Sequence, residues 1–300
     1  MGNGGSNAII ITTAVFFVFS LVTVCLRCFV RLKVVKAFGS DDALMVAAAA
    51  FNTAFAICGI VGSIYGMGKT TEFLSHRPDD IRRGLLCWWL GQIFYVFTCT
   101  IARLSIATTL LRLTVERIHS WILYSIMVLS TAVGTVFLFF TIFQCRPVAY
   151  YWNRSSTEGR CLEINTLLGI AYMYSGVAAA CDFTLGCLPV FMIWRLQMNR
   201  GTKFVVSAIL GLACIASMAV IIRMPFLHYA GKPDFLHEIT QVSIWSNVEA
   251  SLGIAAGSLM TVRPLLRVLV NSFPILSSWS SWSSGEELRS RWKRRIHSFH

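Results

Sequence analysis

Four ionisable side chains interrupt long apolar segments, and they are the first candidates for chemistry. Arg103 and Arg223 are positive, whereas Asp182 and Glu249 are negative. A charged group in hydrocarbon is costly unless it faces the protein interior and has a partner. Because the four charges balance, we predict that they pair inside a helical bundle.

The depth of each charge along its predicted helix suggests which residues pair. At ~1.5 Å per residue from the predicted cytoplasmic end, Arg103 lies at ~13 Å, Asp182 at ~18 Å, Glu249 at ~20 Å and Arg223 at ~28 Å. We therefore predict Arg103–Asp182 and Arg223–Glu249 pairs, or one network of all four. The charges either fix helix register or form the floor of a ligand pocket that lies above them, towards the outer side.

The elements that carry these residues are long and apolar. The chain has 300 residues, of which 56% are hydrophobic and 13% are charged, whereas soluble domains carry about a quarter charged residues. Apolar segments of about 20 residues can cross a bilayer as helices. We predict an all-α, polytopic bundle of seven transmembrane helices within residues 1–270, at about 8–26, 43–65, 84–111, 120–143, 166–194, 204–228 and 240–262.

The basic residues predict the orientation of the bundle. They concentrate in the segments that face the cytoplasm when the N-terminus is outside, beginning with Arg27, Arg31, Lys33 and Lys36 after the first helix. The positive-inside rule then favours an N-out, C-in arrangement. The net charge of +12 is explained by contact with anionic membrane lipid, and nucleic acid is not a predicted partner.

The loop after the fourth predicted helix contains features of an outer segment. Cys145 and Cys161 lie in it, and an oxidising compartment would favour a disulfide between them. Cys87, near the outer end of the third helix, is the competing partner for either one. Asn153 begins an Asn-Arg-Ser glycosylation sequon in the same loop.

The sequence offers little support for a metal or cofactor. The histidines fall at predicted helix ends, in loops or in the tail, so we predict no metal site. A retinal Schiff base needs a lysine within the bundle, and the lysines lie outside the predicted membrane core, so photochemistry is not expected. An alternative stays open, in which Asp182 or Glu249 acts as the proton donor of a membrane-embedded cyclase or isomerase.

Residues 271–300 form a predicted basic cytoplasmic tail. Leu288, Trp292, Ile296 and Phe299 share one helical face. Such a helix would lie on the inner leaflet, held by its apolar face and by attraction of Arg and Lys to anionic lipid. A disordered basic tail is the alternative.

Several motifs carry a family resemblance. The segment CLRCFVRLKVVKAFGSDDALMVAAA has an Arg-x-x-x-Arg pair followed by Asp-Asp, and ARLSIATTLLRL, Gln144-Cys145-Arg-Pro147 and Val262-Arg-Pro-Leu265 follow in order. Together they resemble the signature of fungal rhodopsin-domain integral membrane proteins over residues ~10–268. Arg103 stands where many relatives carry lysine, which preserves the charge.

The resemblance implies a seven-helix, N-out protein of the plasma membrane or an endomembrane. The family includes pathogenicity-linked receptor-like proteins and proteins encoded in secondary-metabolite clusters, such as that for satratoxin-type trichothecenes. The cysteine-rich outer domain and long tail of the receptor-like branch are not found in this sequence, which weighs against a pathogenicity receptor. Neither an Asp/Glu-Arg-Tyr nor an Asn-Pro-x-x-Tyr motif is found at the expected positions, so G-protein coupling is not supported.

The expected function is therefore receptor-like, or accessory to secondary-metabolite biosynthesis, with a small hydrophobic ligand. A biosynthetic enzyme acting on a hydrophobic metabolite, or an exporter of one, is the alternative. Internal repeats and broken helices, which are typical of alternating-access carriers, are not evident in the sequence.

Overall fold

Six long helices make up most of the described part of the chain. The computed structural model describes residues 4–69, 77–114, 116–153, 158–194, 211, 215, 218–220, 222–223 and 235–272. The helices are α1 (Gly4–Phe29), α2 (Ser40–Tyr65), α3 (Pro78–Leu113), α4 (Arg117–Ile142), α5 (Ile164–Trp194) and α6 (Phe235–Ser272). A five-residue π-helical segment, Val30–Val34, continues α1.

Five of the six helices have the length and composition of membrane-crossing segments. Within the described residues, five segments meet this description: Gly4–Val34, Ser40–Tyr65, Pro78–Leu113, Arg117–Ile142 and Ile164–Pro189. Large apolar side chains cover the outside of α4, where Ile118, Trp121 and Val128 are at least 70% exposed. Lipid accommodates such a surface and water does not, so the prediction of a helical membrane protein is confirmed.

The helix boundaries differ from the predicted ones by up to about three turns. The first predicted helix, 8–26, is longer at both ends, and the last, 240–262, extends to Ser272 and past the predicted domain boundary at 270. The predicted apolar runs stop at the first charges, whereas the helices continue past them. The predicted tail from 273 onwards lies outside the described residues. So does most of the sixth predicted span, 204–228, whose described residues are helical.

A short irregular segment with two strands joins α4 to α5. Strand β1 (Cys145–Arg146) pairs antiparallel with β2 (Arg160–Cys161), with Cys145 opposite Cys161. A 3₁₀ turn, Val148–Tyr151, lies between them. This strand pair is an addition to the purely helical prediction. We call the end of the bundle that carries it the disulfide end.

Helix α3 is the centre of the bundle. It contacts α2, α4, α5 and α6, and α1 packs against α2 and α6. The apolar core between the helices includes Met45, Leu110, Leu185 and Ile254. The central position of α3 means that its polar side chains can reach partners on several neighbours at once.

The turn after α2 ties the chain's first helix to the disulfide end. Ser6 donates a hydrogen bond to the Ser63 carbonyl oxygen at 2.6 Å. Gly68 has a φ of +84°, and a Cβ there would lie 2.6 Å from the Ser6 nitrogen. A side chain at position 68 would therefore be both strained and obstructed.

Candidate functional site

Arg103 lies in the second half of α3, buried in the bundle with 5% of its surface exposed. Its Nε donates to Asp182 Oδ1 at 2.7 Å, and its Nη2 donates to Asp182 Oδ2 at 2.8 Å. Two parallel bonds between a guanidinium and a carboxylate are the strongest geometry for such a pair. The structure thus places Asp182 of α5 where the sequence analysis expected the partner of Arg103.

Glu249 of α6 joins the second arginine to this pair. Its Oε1 lies 3.2 Å from Arg103 Nη2, and its Oε2 lies 3.4 Å from Arg223 Nη1. Of the two predicted arrangements, the structure has the single network of four residues. We call Arg103, Asp182, Arg223 and Glu249 the central network. Its two positive and two negative charges leave it neutral.

Tyr95 is a member of this site that the sequence analysis missed. Its hydroxyl donates to Glu249 Oε2 at 2.7 Å and accepts from Arg223 Nη1 at 2.7 Å. Tyr95 lies eight residues before Arg103 on the same helix, a spacing that puts both on one face. That spacing could have identified Tyr95 as a neighbour of Arg103. Tyrosine is common near membrane interfaces, however, so this one did not stand out.

Two serines accept further hydrogen bonds from Arg223. Its Nη1 donates to Ser246 Oγ at 3.0 Å, and its Nη2 donates to Ser175 Oγ at 2.9 Å. Ser246 lies three residues before Glu249, on the same face of α6. The arginine is thereby held by α3, α5 and α6 together.

A cavity of about 470 Å³ lies between the central network and the disulfide end. We call it the disulfide-side cavity. Tyr95, Tyr174, Ser175, Arg223 and Ser246 line it at the network, and Gln144, Cys145, Cys161 and Leu162 line it at the connecting segment. It has the size of a small-molecule site.

The wall of the disulfide-side cavity is mostly apolar and aromatic. Phe55, Trp88, Phe137 and Tyr151 contribute rings to it. Among the described lining residues, Arg223 is the only charged one. Its partner Glu249 does not line this cavity, so the charge nearest to a bound molecule is positive.

A second, much smaller cavity lies on the other side of the central network. It has about 40 Å³ and is lined by Arg103, Asp182, Glu249, Ile106, Leu185 and Met260, among others. A water molecule needs roughly 10–15 Å³ of such space, so the cavity has room for a few waters. It is too small for a metabolite.

Cys145 and Cys161 form a disulfide, with an S–S distance of 1.96 Å. Cys87, the predicted competitor, has a free thiol, and it lines the disulfide-side cavity together with free Cys58. Asn153 is described, but the rest of its glycosylation sequon lies outside the described residues. Among the residues that the structure describes, no three His, Cys, Asp or Glu side chains lie close enough to hold a metal ion.

A second cluster of buried ion pairs shows that the expected position of Arg27 was wrong. Arg27 was expected in a cytoplasmic loop, but it lies inside α1 with none of its surface exposed. Its Nε lies 2.8 Å from Asp42 Oδ1, and its Nη2 lies 2.9 Å from Asp41 Oδ2. Its Nη1 donates to the Gly257 carbonyl oxygen at 3.0 Å. The buried charges within helices are therefore more than the four predicted.

Two further arginines extend this cluster. Arg31 Nη2 lies 3.2 Å from Asp41 Oδ2, and Arg112 Nη1 lies 2.6 Å from Asp41 Oδ1. We call Arg27, Arg31, Asp41, Asp42 and Arg112 the helix-end cluster. Asp42 also accepts from the Gly39 N–H at 3.0 Å, which is a capping hydrogen bond at the start of α2. The Arg-x-x-x-Arg and Asp-Asp motifs were thus visible in the sequence, but their contact was not.

Comparison with known families gives one match over most of the chain. A model of the fungal rhodopsin domain matches residues 26–268. That range contains every member of the central network and of the helix-end cluster.

Several curated proteins are similar to this chain. "Satratoxin biosynthesis SC1 cluster protein 4" of Stachybotrys chartarum is 28% identical over 53% of this chain and 56% of its own length. The "SAT4 family membrane protein" of Emericella nidulans is 28% identical over 58% of this chain and 45% of its own. "Wortmanamides biosynthesis cluster protein C" of Talaromyces wortmannii is 23% identical over 91% of this chain and 75% of its own. The chain spans about half the length of the first two.

Proposed function

Because the chain belongs to the fungal rhodopsin domain family, we propose that it is a receptor-like or accessory membrane protein of secondary metabolism. It binds a small, largely apolar metabolite in the disulfide-side cavity. The observation that carries this proposal is the cavity itself, about 470 Å³ with an aromatic wall, in contact with the central network. Pockets that hold small ligands combine such an apolar wall with a few fixed polar groups.

The contacts of Tyr95 support a role beyond passive binding. The tyrosine lines the cavity, and its hydroxyl bridges Arg223 and Glu249. A molecule that displaces this ring alters the hydrogen bonds of a network that touches α3, α5 and α6. Ligand binding is thereby coupled to helix packing, as a receptor or a sensing accessory protein requires.

The relatives support the metabolic context. Two of those named above carry the words "biosynthesis" and "cluster protein" in their names, and a third relative is named "Fugralins biosynthesis cluster protein 2", from Gibberella zeae. A protein that accompanies a biosynthetic cluster meets the hydrophobic products of that cluster in the membrane. We extend that context to this chain.

The proposed topology has seven spans with the N-terminus and the disulfide end outside. A disulfide persists in an oxidising compartment, and it lies at the same end of the bundle as Ser6. The arginine-rich helix-end cluster lies at the opposite end, as the positive-inside rule favours. Treatment with an N-glycosidase should shift the mobility of the wild-type protein and not that of Asn153→Gln, whereas an unmodified Asn153 would remove this support for the orientation.

A cavity-filling variant tests the proposed function directly. Gly91 lines the cavity, and a Cβ there meets its neighbours at ordinary contact distances of 3.8 Å. A Cβ at position 91 is therefore accommodated, and the rest of the leucine side chain in Gly91→Leu is expected to take up part of the cavity volume. Gly169→Leu is the matched control, because nothing lies within 4 Å of a Cβ at position 169 and the residue is not among the described lining residues.

The measurement is equilibrium dialysis of the full chain in lipid nanodiscs against a library of polyketide, terpenoid and amide metabolites. Mass spectrometry should find compounds retained by the wild type and Gly169→Leu, and about tenfold less by Gly91→Leu. Equal retention by all three proteins would contradict the proposal. So would retention by empty nanodiscs that equals retention by the wild type. A change in the mass of a retained compound would favour the enzyme alternative, and flux across proteoliposomes would favour the exporter.

A further inference from the structure

We propose that the ligand of the disulfide-side cavity is uncharged and presents a hydrogen-bond-accepting oxygen, such as a carbonyl, to the end formed by Arg223 and Tyr174. This inference rests on the proposed function and specifies the chemistry of that same site. It makes Tyr174 a residue that selects the ligand.

Of the nine buried side-chain atoms without a hydrogen-bond partner among the described residues, three belong to residues that line the cavity. They are the Arg223 Nε, the Tyr174 hydroxyl and the Gln144 Nε2. The three residues are 4%, 3% and 6% exposed. Buried polar groups in native proteins are almost always satisfied, so three unsatisfied ones on the wall of a single cavity point to a partner that the cavity receives.

The chemistry of these atoms decides which partner fits. An arginine Nε and an amide nitrogen can only donate, and a tyrosine hydroxyl can donate as well. A ligand that satisfies them must therefore bring acceptors. A purely donating group, such as an ammonium, would leave the Arg223 Nε unsatisfied.

Charge favours a neutral acceptor over an anion. Arg223 repels a cation, and it is the only charged residue among the described ones that line the cavity. Its charge is already balanced within the central network, in which Glu249 Oε2 lies 3.4 Å away. A carboxylate would add an uncompensated charge to an apolar site, whereas a carbonyl adds none.

Tyr174 is fixed in place by its ring. The ring stacks on Phe137, with centroids 4.5 Å apart, and meets Tyr95 edge-on at 6.3 Å. The unpartnered atoms have almost no exposed surface. The proposal therefore requires the side chains that border the open volume to move aside when a ligand oxygen binds.

Four tricyclic probes that differ at one position test this inference. They are 9-fluorenone, fluorene, fluorene-9-carboxylate and 9-aminofluorene, measured by equilibrium dialysis against the full chain in nanodiscs with empty nanodiscs subtracted. We expect fluorenone to bind about fivefold to tenfold more tightly than fluorene, as one satisfied hydrogen bond provides. The carboxylate and the ammonium should bind more weakly than fluorenone.

Tyr174→Phe separates ligand selection from a structural role. Because its hydroxyl has no partner in the protein, the variant should melt at the same temperature as the wild type or higher. Its affinity for fluorenone should fall about threefold to tenfold, while its affinity for fluorene stays the same. Tyr172→Phe, on the same helix and not among the described lining residues, should change neither affinity.

The outcomes distinguish this inference from the proposed function. If fluorene and fluorenone bind equally and Gly91→Leu weakens both, the cavity is a ligand site but the acceptor preference is wrong. Tightest binding of the carboxylate overturns the neutral ligand. A loss of stability in Tyr174→Phe overturns the selecting role of the hydroxyl. Retention of no probe above empty nanodiscs overturns the inference together with the site on which it rests.

Discussion

The central network and the helix-end cluster are both buried groups of arginines and carboxylates, yet their surroundings differ. In the central network, Arg223 borders a cavity of about 470 Å³ and Glu249 borders one of about 40 Å³. In the helix-end cluster, Arg27, Asp41 and Asp42 are fully buried and line neither cavity. One group of charges borders the cavities, whereas the buried members of the other contact only protein.

The difference separates two uses of buried charge in a membrane. The helix-end cluster links the last turn of α1, the first turn of α2 and the end of α3, and its bonds hold those helix ends together. The central network also links helices, but its hydrogen bonds continue through Tyr95 and Arg223 into a cavity wall. We infer that the first is a structural clamp and that the second is the floor of the ligand site.

The largest expected effect is the loss of Arg27. Arg27→Met removes the fully buried partner of two carboxylates that have none of their surface exposed, and leaves them only the more exposed Arg31 and Arg112. Removing one side of a buried pair costs about 3–5 kcal/mol, so we expect a severe loss of monodisperse protein and of melting temperature in detergent. Lys33→Met is the control at an exposed basic position of the following segment, and it should change neither quantity. A stable Arg27→Met protein would show that the helix-end cluster is not a clamp.

Loss of the disulfide should have the second-largest effect, and that effect should fall mainly on the segment that closes the cavity. Replacing Cys145 and Cys161 by serine frees a loop of sequence separation 16, which weakens the segment that closes the cavity by about 2–4 kcal/mol in the chain-entropy description. We expect a lower melting temperature and a lower affinity for 9-fluorenone. Cys25→Ser, at an exposed free cysteine, is the control. An unchanged affinity in the double variant would exclude the loop from the ligand site.

A charge exchange should reveal the coupling within the central network. Arg103→Ala and Asp182→Ala should each lower stability, and Arg103→Asp combined with Asp182→Arg should restore part of it, through a coupling of about 0.5–3 kcal/mol. The rescue stays partial because Glu249 lies 3.2 Å from Arg103 Nη2 and would then face an aspartate.

The exposed pair Arg77–Asp80 provides the control exchange. Its atoms lie 3.7 Å apart, and 72% of the arginine side chain is exposed, so exchanging the two residues should leave the melting temperature unchanged. If the exchange at Arg103 and Asp182 is no more stable than either alanine variant, these residues do not stabilise the bundle as a pair.

The sequence predicted the central network because each of its charges interrupts an apolar run. The helical rise placed Arg223 ~8 Å farther than Glu249 from the predicted cytoplasmic end, but an arginine side chain covers that difference. The same attention to the first charge in an apolar run gave the wrong position for Arg27. The apolar run of α1 was taken to end at its first charge, whereas the helix continues to Phe29 because Arg27 finds Asp41 and Asp42.

The cavity could not be predicted in detail from a linear pattern. Its wall is built from α2 to α6 and the segment between α4 and α5, so it depends on how far apart those elements pack. The sequence supports the expectation of a pocket above the charges. It contains no signal for the volume of that pocket, or for the free donors of Tyr174 and Gln144.

One comparison tests the account most directly, using Tyr95→Phe and Thr109→Val. Both residues are on α3 and are 5% exposed. Tyr95→Phe removes a hydroxyl that bonds to Arg223 and Glu249 of the central network. Thr109→Val removes a hydroxyl that lies 3.2 Å from Asp41 Oδ2 of the helix-end cluster. Each should cost about 1.5–3 kcal/mol of stability, because the lost hydrogen bonds are made to charged groups.

The deciding measurement is the affinity of both variants for 9-fluorenone in nanodiscs. We predict an affinity about fivefold lower in Tyr95→Phe, because its hydroxyl positions Arg223 at the cavity, and an unchanged affinity in Thr109→Val. Equal affinities in the two variants, whether both unchanged or both reduced, would contradict the distinction between a ligand-site floor and a structural clamp.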